Sequence, residues 1–238
     1  MKYFTASIGI LYLFGIPLYA QKADTSAKKA IASAVELYRI STEESQHLYN
    51  GPEYFIYDSR SKEHQFFESD EMEAGSVHYD GQFYPNVLIM YDIVKDEVAI
   101  EHLNRYDQIQ LQKEKVSYFT VLNHHFIRLE KDNTGLRTGF YDLLYNKRLK
   151  VLARRIKERD EVIEQMKIVV EFPAKNFFYV YKDGVYHSVS RKSSVLQLFE
   201  DQKKALRKYI RENKLRFKKD RENTIVQVTA YYDQLTTP

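Results

Sequence analysis

The chain has 238 residues, a formal net charge of +3, 14% aromatic residues and no cysteine. Without cysteine it forms no disulfide, no thiolate metal site and no lipidated-cysteine anchor. Eight glycines and five prolines are too few for a disordered linker protein, and the length suffices for a substantial core.

Residues 1–20 have the layout of a secretory signal peptide. Met1-Lys2 gives a short basic start, Ile8 to Tyr19 is an apolar run, and Ala20 offers a small residue before polar Gln21-Lys22. The apolar run is too short to span a bilayer as a helix and Pro17 interrupts it, so cleavage after Ala20 is expected rather than a retained anchor. No later stretch is long and apolar enough to span as a helix.

Ala27, Ala30, Ile31, Ala34, Val35 and Tyr38 recur at helical steps and predict a helix over 24–40. Ser41 to Glu44 then reads as a capping box, and Asn50-Gly51-Pro52 stops the short helix that follows. From about 53 to 190 the period is two. Val116 to Leu122 and Met166 to Phe172 alternate, and Asn86 to Val94 reads as a central strand covered on both faces. Asp80-Gly81 and Asp183-Gly184 are hairpin signals, because Asp-Gly tolerates two positive φ angles. Asn146-Lys147 closes a third hairpin, and Asp132 to Gly135 makes a longer turn. After Ser190 the helical period returns. One helix carries Val195, Leu196, Phe199, Leu206, Tyr209 and Ile210, with a break near Asp201. Asp220 caps a last helix with Ile225, Val228, Tyr232 and Leu235 on one face.

The expected fold is therefore α+β and β-rich. A single antiparallel meander of about ten strands forms a curved sheet or half-barrel. An N-terminal helix and C-terminal amphipathic helices, about 191–236, pack on it, and residues 21–238 make one domain.

Motifs for catalysis are sparse. His124 and His125 are adjacent in a strand, so they leave opposite faces, and the other histidines are scattered. No metal or cofactor is expected, no Gly-x-Ser-x-Gly elbow occurs, and no phosphate-cradling glycine loop is present. Glu68, Asp70, Glu71 and Glu73 bunch in one loop, which reads as a solvated edge rather than a glycosidase pair. Tyr-Asp recurs at 57–58, 79–80, 91–92, 106–107, 141–142 and 232–233. A structural role is favoured, with the ring packed and the aspartate starting a turn.

Two basic runs stand out, at 147–159 and 202–221. From them Arg154, Arg155, Lys157, Lys204, Arg207, Lys208, Arg211, Lys218 and Lys219 are candidates for an anionic surface. The leader argues against nucleic acid and for lipid head groups, acidic glycan or an acidic envelope protein.

Leu48-Tyr49-Asn50-Gly51, Tyr79-Asp80-Gly81 with Tyr84, and Tyr91-Asp92 form one half of a pattern. Tyr179, Lys182-Asp183-Gly184, Ser193 to Phe199 and Lys218-Lys219-Asp220 form the other. Together they resemble uncharacterised exported proteins of Bacteroidota-type bacteria over most of 40–236. The resemblance implies no activity and no functional residues.

The function expected is a non-enzymatic envelope protein that binds a partner or small ligand, in the periplasm or at the outer-membrane periphery. The alternatives are a hydrolase of envelope glycan or peptide, and an integral outer-membrane β-barrel.

Overall fold

The computed structural model describes residues 28–35, 38, 47–56, 61, 63–164 and 167–236. The chain forms two compact units, Met1–Gln46 and His47–Pro238. In the first, residues 28–35 (α1) and 38 are helical, within the predicted 24–40 span, and Ile31, Val35 and Tyr38 are exposed. The signal-peptide expectation and the capping box at Ser41 to Glu44 lie outside the described residues.

The second unit is built on one ten-stranded antiparallel sheet. Its first half is the meander β1 (Glu73–Tyr79), β2 (Gln82–Asp92), β3 (Glu97–Glu101) and β4 (Gln108–Gln110). Its second half runs β5 (Val116–Val121), β6 (His124–Leu129), β7 (Gly139–Asn146) and β8 (Lys150–Lys157). After a separate hairpin, β9 (Asp160–Glu164) and β10 (Lys167–Glu171), that half ends with β11 (Ala174–Lys182) and β12 (Val185–Val189). Pairing of β1 with β5 joins the halves, so the sheet is open, with β12 and β4 at its edges. This is the β-rich meander expected from the period-two pattern.

Local chemistry sets the turns. Asp80-Gly81 and Asp183-Gly184 hold positive φ at both positions, as their hairpins require. Leu122 and Asn123 do the same between β5 and β6 without a glycine. The β7–β8 hairpin closes through residues 147–149, where the Lys147 N–H donates to the Leu149 carbonyl. Asp132 to Gly135 lies on one short helix, α2 (Lys131–Thr134), ended by Gly135 in the left-handed conformation. At the β4 edge, Tyr54 N–H donates to Gln108 and Gln110 N–H to Pro52, so residues 52–54 cover part of it.

Two apolar cores share one face of the sheet. The first is aromatic, with Tyr91 ring-packed against Phe119, Phe126 and Phe140. At the end of β2 and just past it, Ile89 to Ile93 are buried as expected, whereas Asn86 and Leu88 are exposed. The second core joins Val151 and Ala153 of β8 and Phe178 and Val180 of β11 to three helices. These are α3 (Lys192–Leu198), α4 (Lys203–Glu212) and α5 (Arg221–Thr236). The predicted long helix breaks at Glu200–Gln202, and Asp220 accepts from the Asn223 N–H at the start of α5. Ile225, Val228 and Tyr232 are buried on the inward face of α5, whereas Leu235, expected beside them, is exposed.

The helices are layered. α5 lies on β7 and β8, α3 on β12, and α4 against α3 and α5. α4 buries only Leu206 and Ile210, each worth about 1.5–3 kcal/mol when taken from water. Its remaining length is the outermost layer of the unit.

Candidate anion-binding face

Helical spacing puts Lys204, Arg207, Lys208 and Arg211 at i, i+3, i+4 and i+7, one stripe of α4 opposite its buried pair. All four are exposed. Lys208 lies 3.8 Å from Glu212. Among the described residues, Lys204, Arg207 and Arg211 lie within ion-pair distance of no carboxylate.

A groove of about 930 Å³ runs beside this stripe, between α3, α4 and the start of the α4–α5 connection. Lys192, Arg207, Arg211, Lys214 and Arg216 rim it. Leu196, Ile210 and Leu215 form its floor, and no carboxylate lines it. Lys214 adopts a positive φ just after the end of α4, which turns the chain so that Leu215 packs back on the second core. Lys204 and Lys208 continue the basic surface on one flank, and Lys219 on the other. Lys218 is exposed on the same connection.

The structure separates the first basic run from the second. Strand alternation sends Arg155 and Lys157 to the face that carries Val151 and Ala153, and Arg154 to the other. Arg155 is 7% exposed, so it is no surface residue. Its Nε and Nη2 donate to Asp142 Oδ2 at 3.1 and 2.6 Å, and Nη1 and Nη2 donate to Glu222 of α5. Lys157 Nζ donates to the carbonyls of His64 and Phe66 at 2.6 and 2.9 Å, and burial pulls its pKa down. Arg154 lies 5.6 Å over the Tyr141 ring. Arg155 and Lys157 thus hold the fold together internally, and the surface expectation for them is corrected.

The buried network around Arg155 lies where the two cores meet. Along β7, Phe140 belongs to the first core and Leu144 packs on the second, and Asp142 shares their face between them. His124 Nδ1 lies 2.7 Å from Asp142 Oδ2, and its Nε2 lies 3.8 Å from Glu68. The Asp142 hydrogen bond raises the His124 pKa, with Asp142 and Glu68 charge adding to it against burial. His124 also packs edge-on to Phe67, whereas His125 neighbours Tyr118, so the two histidines face opposite ways as expected. Among the described residues, no Ser or Thr hydroxyl is hydrogen-bonded to a histidine, and no cluster of three His, Asp or Glu side chains has metal-binding geometry.

Lys192, Lys214 and Arg216 are groove residues that the nine candidates omit. The only available signal was the apolar Leu215 beside a basic run, which marks a floor under the cations. Comparison with protein-family models, with curated proteins and with solved structures gives no match.

Proposed function

We propose that this protein is a non-enzymatic, exported envelope protein that docks on an anionic membrane surface through the basic face of α4 and the adjoining groove. The observation that carries the reading is the stripe of Lys204, Arg207, Lys208 and Arg211 on the outermost helix. A solvated amphipathic helix of a stable domain needs no such concentration of one sign. Lipid head groups supply the missing negative charge, at about 1 kcal/mol for each basic residue near the surface. The leader-like residues 1–20 support an envelope location.

The hydrolase alternative finds its best geometry in the Asp142–His124 pair. There Asp142 is already bound by Arg155, and Arg155 by Glu222. That arrangement suits fastening of α5 to the sheet. The barrel alternative requires a closed sheet, and this one ends at β12 and β4.

Co-sedimentation with vesicles tests the reading. Binding to vesicles containing phosphatidylglycerol is expected at low salt, with none to pure phosphatidylcholine. Raising salt toward 1 M, where the screening length falls to about 3 Å, releases the protein. No binding to the anionic vesicles, or binding indifferent to salt, would overturn it.

A further inference from the structure

We propose that the groove between α3, α4 and the α4–α5 connection is a binding site for a phosphate-bearing amphiphile, a single anionic phospholipid of the docked surface. The inference rests on the surface reading and goes past it. A flat charged surface needs only outward cations. Here the cations stand on the rim of a concavity whose floor is apolar.

Three of the five rim cations are Arg207, Arg211 and Arg216. A guanidinium presents a planar fork of donors that matches two phosphate oxygens at once. Arg207 and Arg211 are one helical turn apart, so both forks reach the same side of the groove. Below them Leu196, Ile210 and Leu215 offer an apolar strip. A free phosphate leaves that strip wet. A phosphate ester with an alkyl chain covers it with its first methylenes. The groove is open to solvent along its length, so it seats a head group and the first methylenes and does not enclose a whole ligand. Charge complementarity and the apolar floor together select an anionic amphiphile over an acidic protein or a bare anion.

Calorimetry with three soluble probes tests this on the protein itself: hexyl phosphate, inorganic phosphate and hexyl glucoside. Hexyl phosphate is expected to bind at least about tenfold more tightly than inorganic phosphate, because each buried methylene adds to affinity. Hexyl glucoside, with the chain and no charge, is expected not to bind. Arg211→Gln weakens hexyl phosphate and phosphate alike. Leu215→Ser brings hexyl phosphate down toward phosphate. Equal affinity for the two phosphates, or no binding of hexyl phosphate, overturns the amphiphile site while leaving the vesicle result to stand by itself. Binding of hexyl phosphate without vesicle binding upholds the groove and overturns the surface reading. The three-probe comparison on the unaltered protein remains decisive if Leu215→Ser fails to fold.

Discussion

Arg155 on β8 donates from two nitrogens to a single oxygen of Asp142 on the neighbouring strand, at 3.1 and 2.6 Å, with both side chains buried. Its remaining donors reach Glu222 in the first turn of α5. A carboxylate there also suits the positive end of the helix. The pair lies between two apolar cores and fastens the helical layer to the sheet.

Removing one member leaves a buried charge unmatched. Arg155→Met is expected to lower unfolding free energy by about 3–5 kcal/mol. Urea unfolding followed by far-UV circular dichroism measures it. The double variant Asp142→Leu with Arg155→Met is expected to be more stable than Arg155→Met alone, because both charges leave together. A loss below about 1 kcal/mol for Arg155→Met would refer the pair to the class of weak surface bridges and refute its fastening role.

His124 gives the network a pH dependence. The groups facing it are Asp142, Glu68 and Arg155, and the net effect raises its pKa above 6.5. A raised folded-state value means that protonation favours the folded state. The contribution is full below pH 6.5 and is lost as pH rises through the raised value. Stability of the parent protein is expected to fall as pH rises above 6.5, and His124→Gln to flatten that portion of the profile. A parent and variant with parallel profiles would show that His124 contributes no linkage.

Gly139 has φ +151°, and a Cβ there would stand 2.3 Å from Asp96 Oδ2. That carboxylate cannot easily move, since Asp96 accepts from the Tyr91 hydroxyl and the Phe140 N–H. Gly81 also has positive φ, yet a Cβ there meets nothing within 4 Å. Gly81→Ala is expected to cost about 1–3 kcal/mol from backbone strain, and Gly139→Ala clearly more. Thermal unfolding of the two variants side by side checks the difference. Equal shifts in Tm would mean that the Asp96 contact does not constrain Gly139.

What the sequence disclosed was what local chemistry decides. Asp80-Gly81 and Asp183-Gly184 announced their hairpins because two positive φ angles select those residues. Of the repeated Tyr-Asp pairs, 91–92, 141–142 and 232–233 are buried at both residues, whereas Tyr106 is exposed and 57–58 lie outside the described residues. Each of those aspartates is bonded: Asp92 by Tyr54, Asp142 by Arg155, and Asp233 by Tyr145 and Arg148. The turn at Leu122-Asn123 carried no glycine to mark it. The burial of Arg155 was hidden because its partners lie 13 and 67 residues away. Seen along the chain, 147–159 is a basic run. Folded as a strand, it divides between two faces with opposite environments. The α4 stripe was legible because helical spacing alone puts its four cations together.

Docking requires that α4 supply the binding charge, and vesicle titration of Arg207→Glu/Arg211→Glu against the parent protein measures whether it does. Both residues are exposed, so the fold is expected to persist. With about 1 kcal/mol for each basic residue near the surface, the double variant should bind phosphatidylglycerol vesicles at least about thirtyfold more weakly. Lys131→Glu, on α2, should bind as the parent does. Unchanged binding by the α4 variant, or an equal loss in Lys131→Glu, would rule out docking through α4.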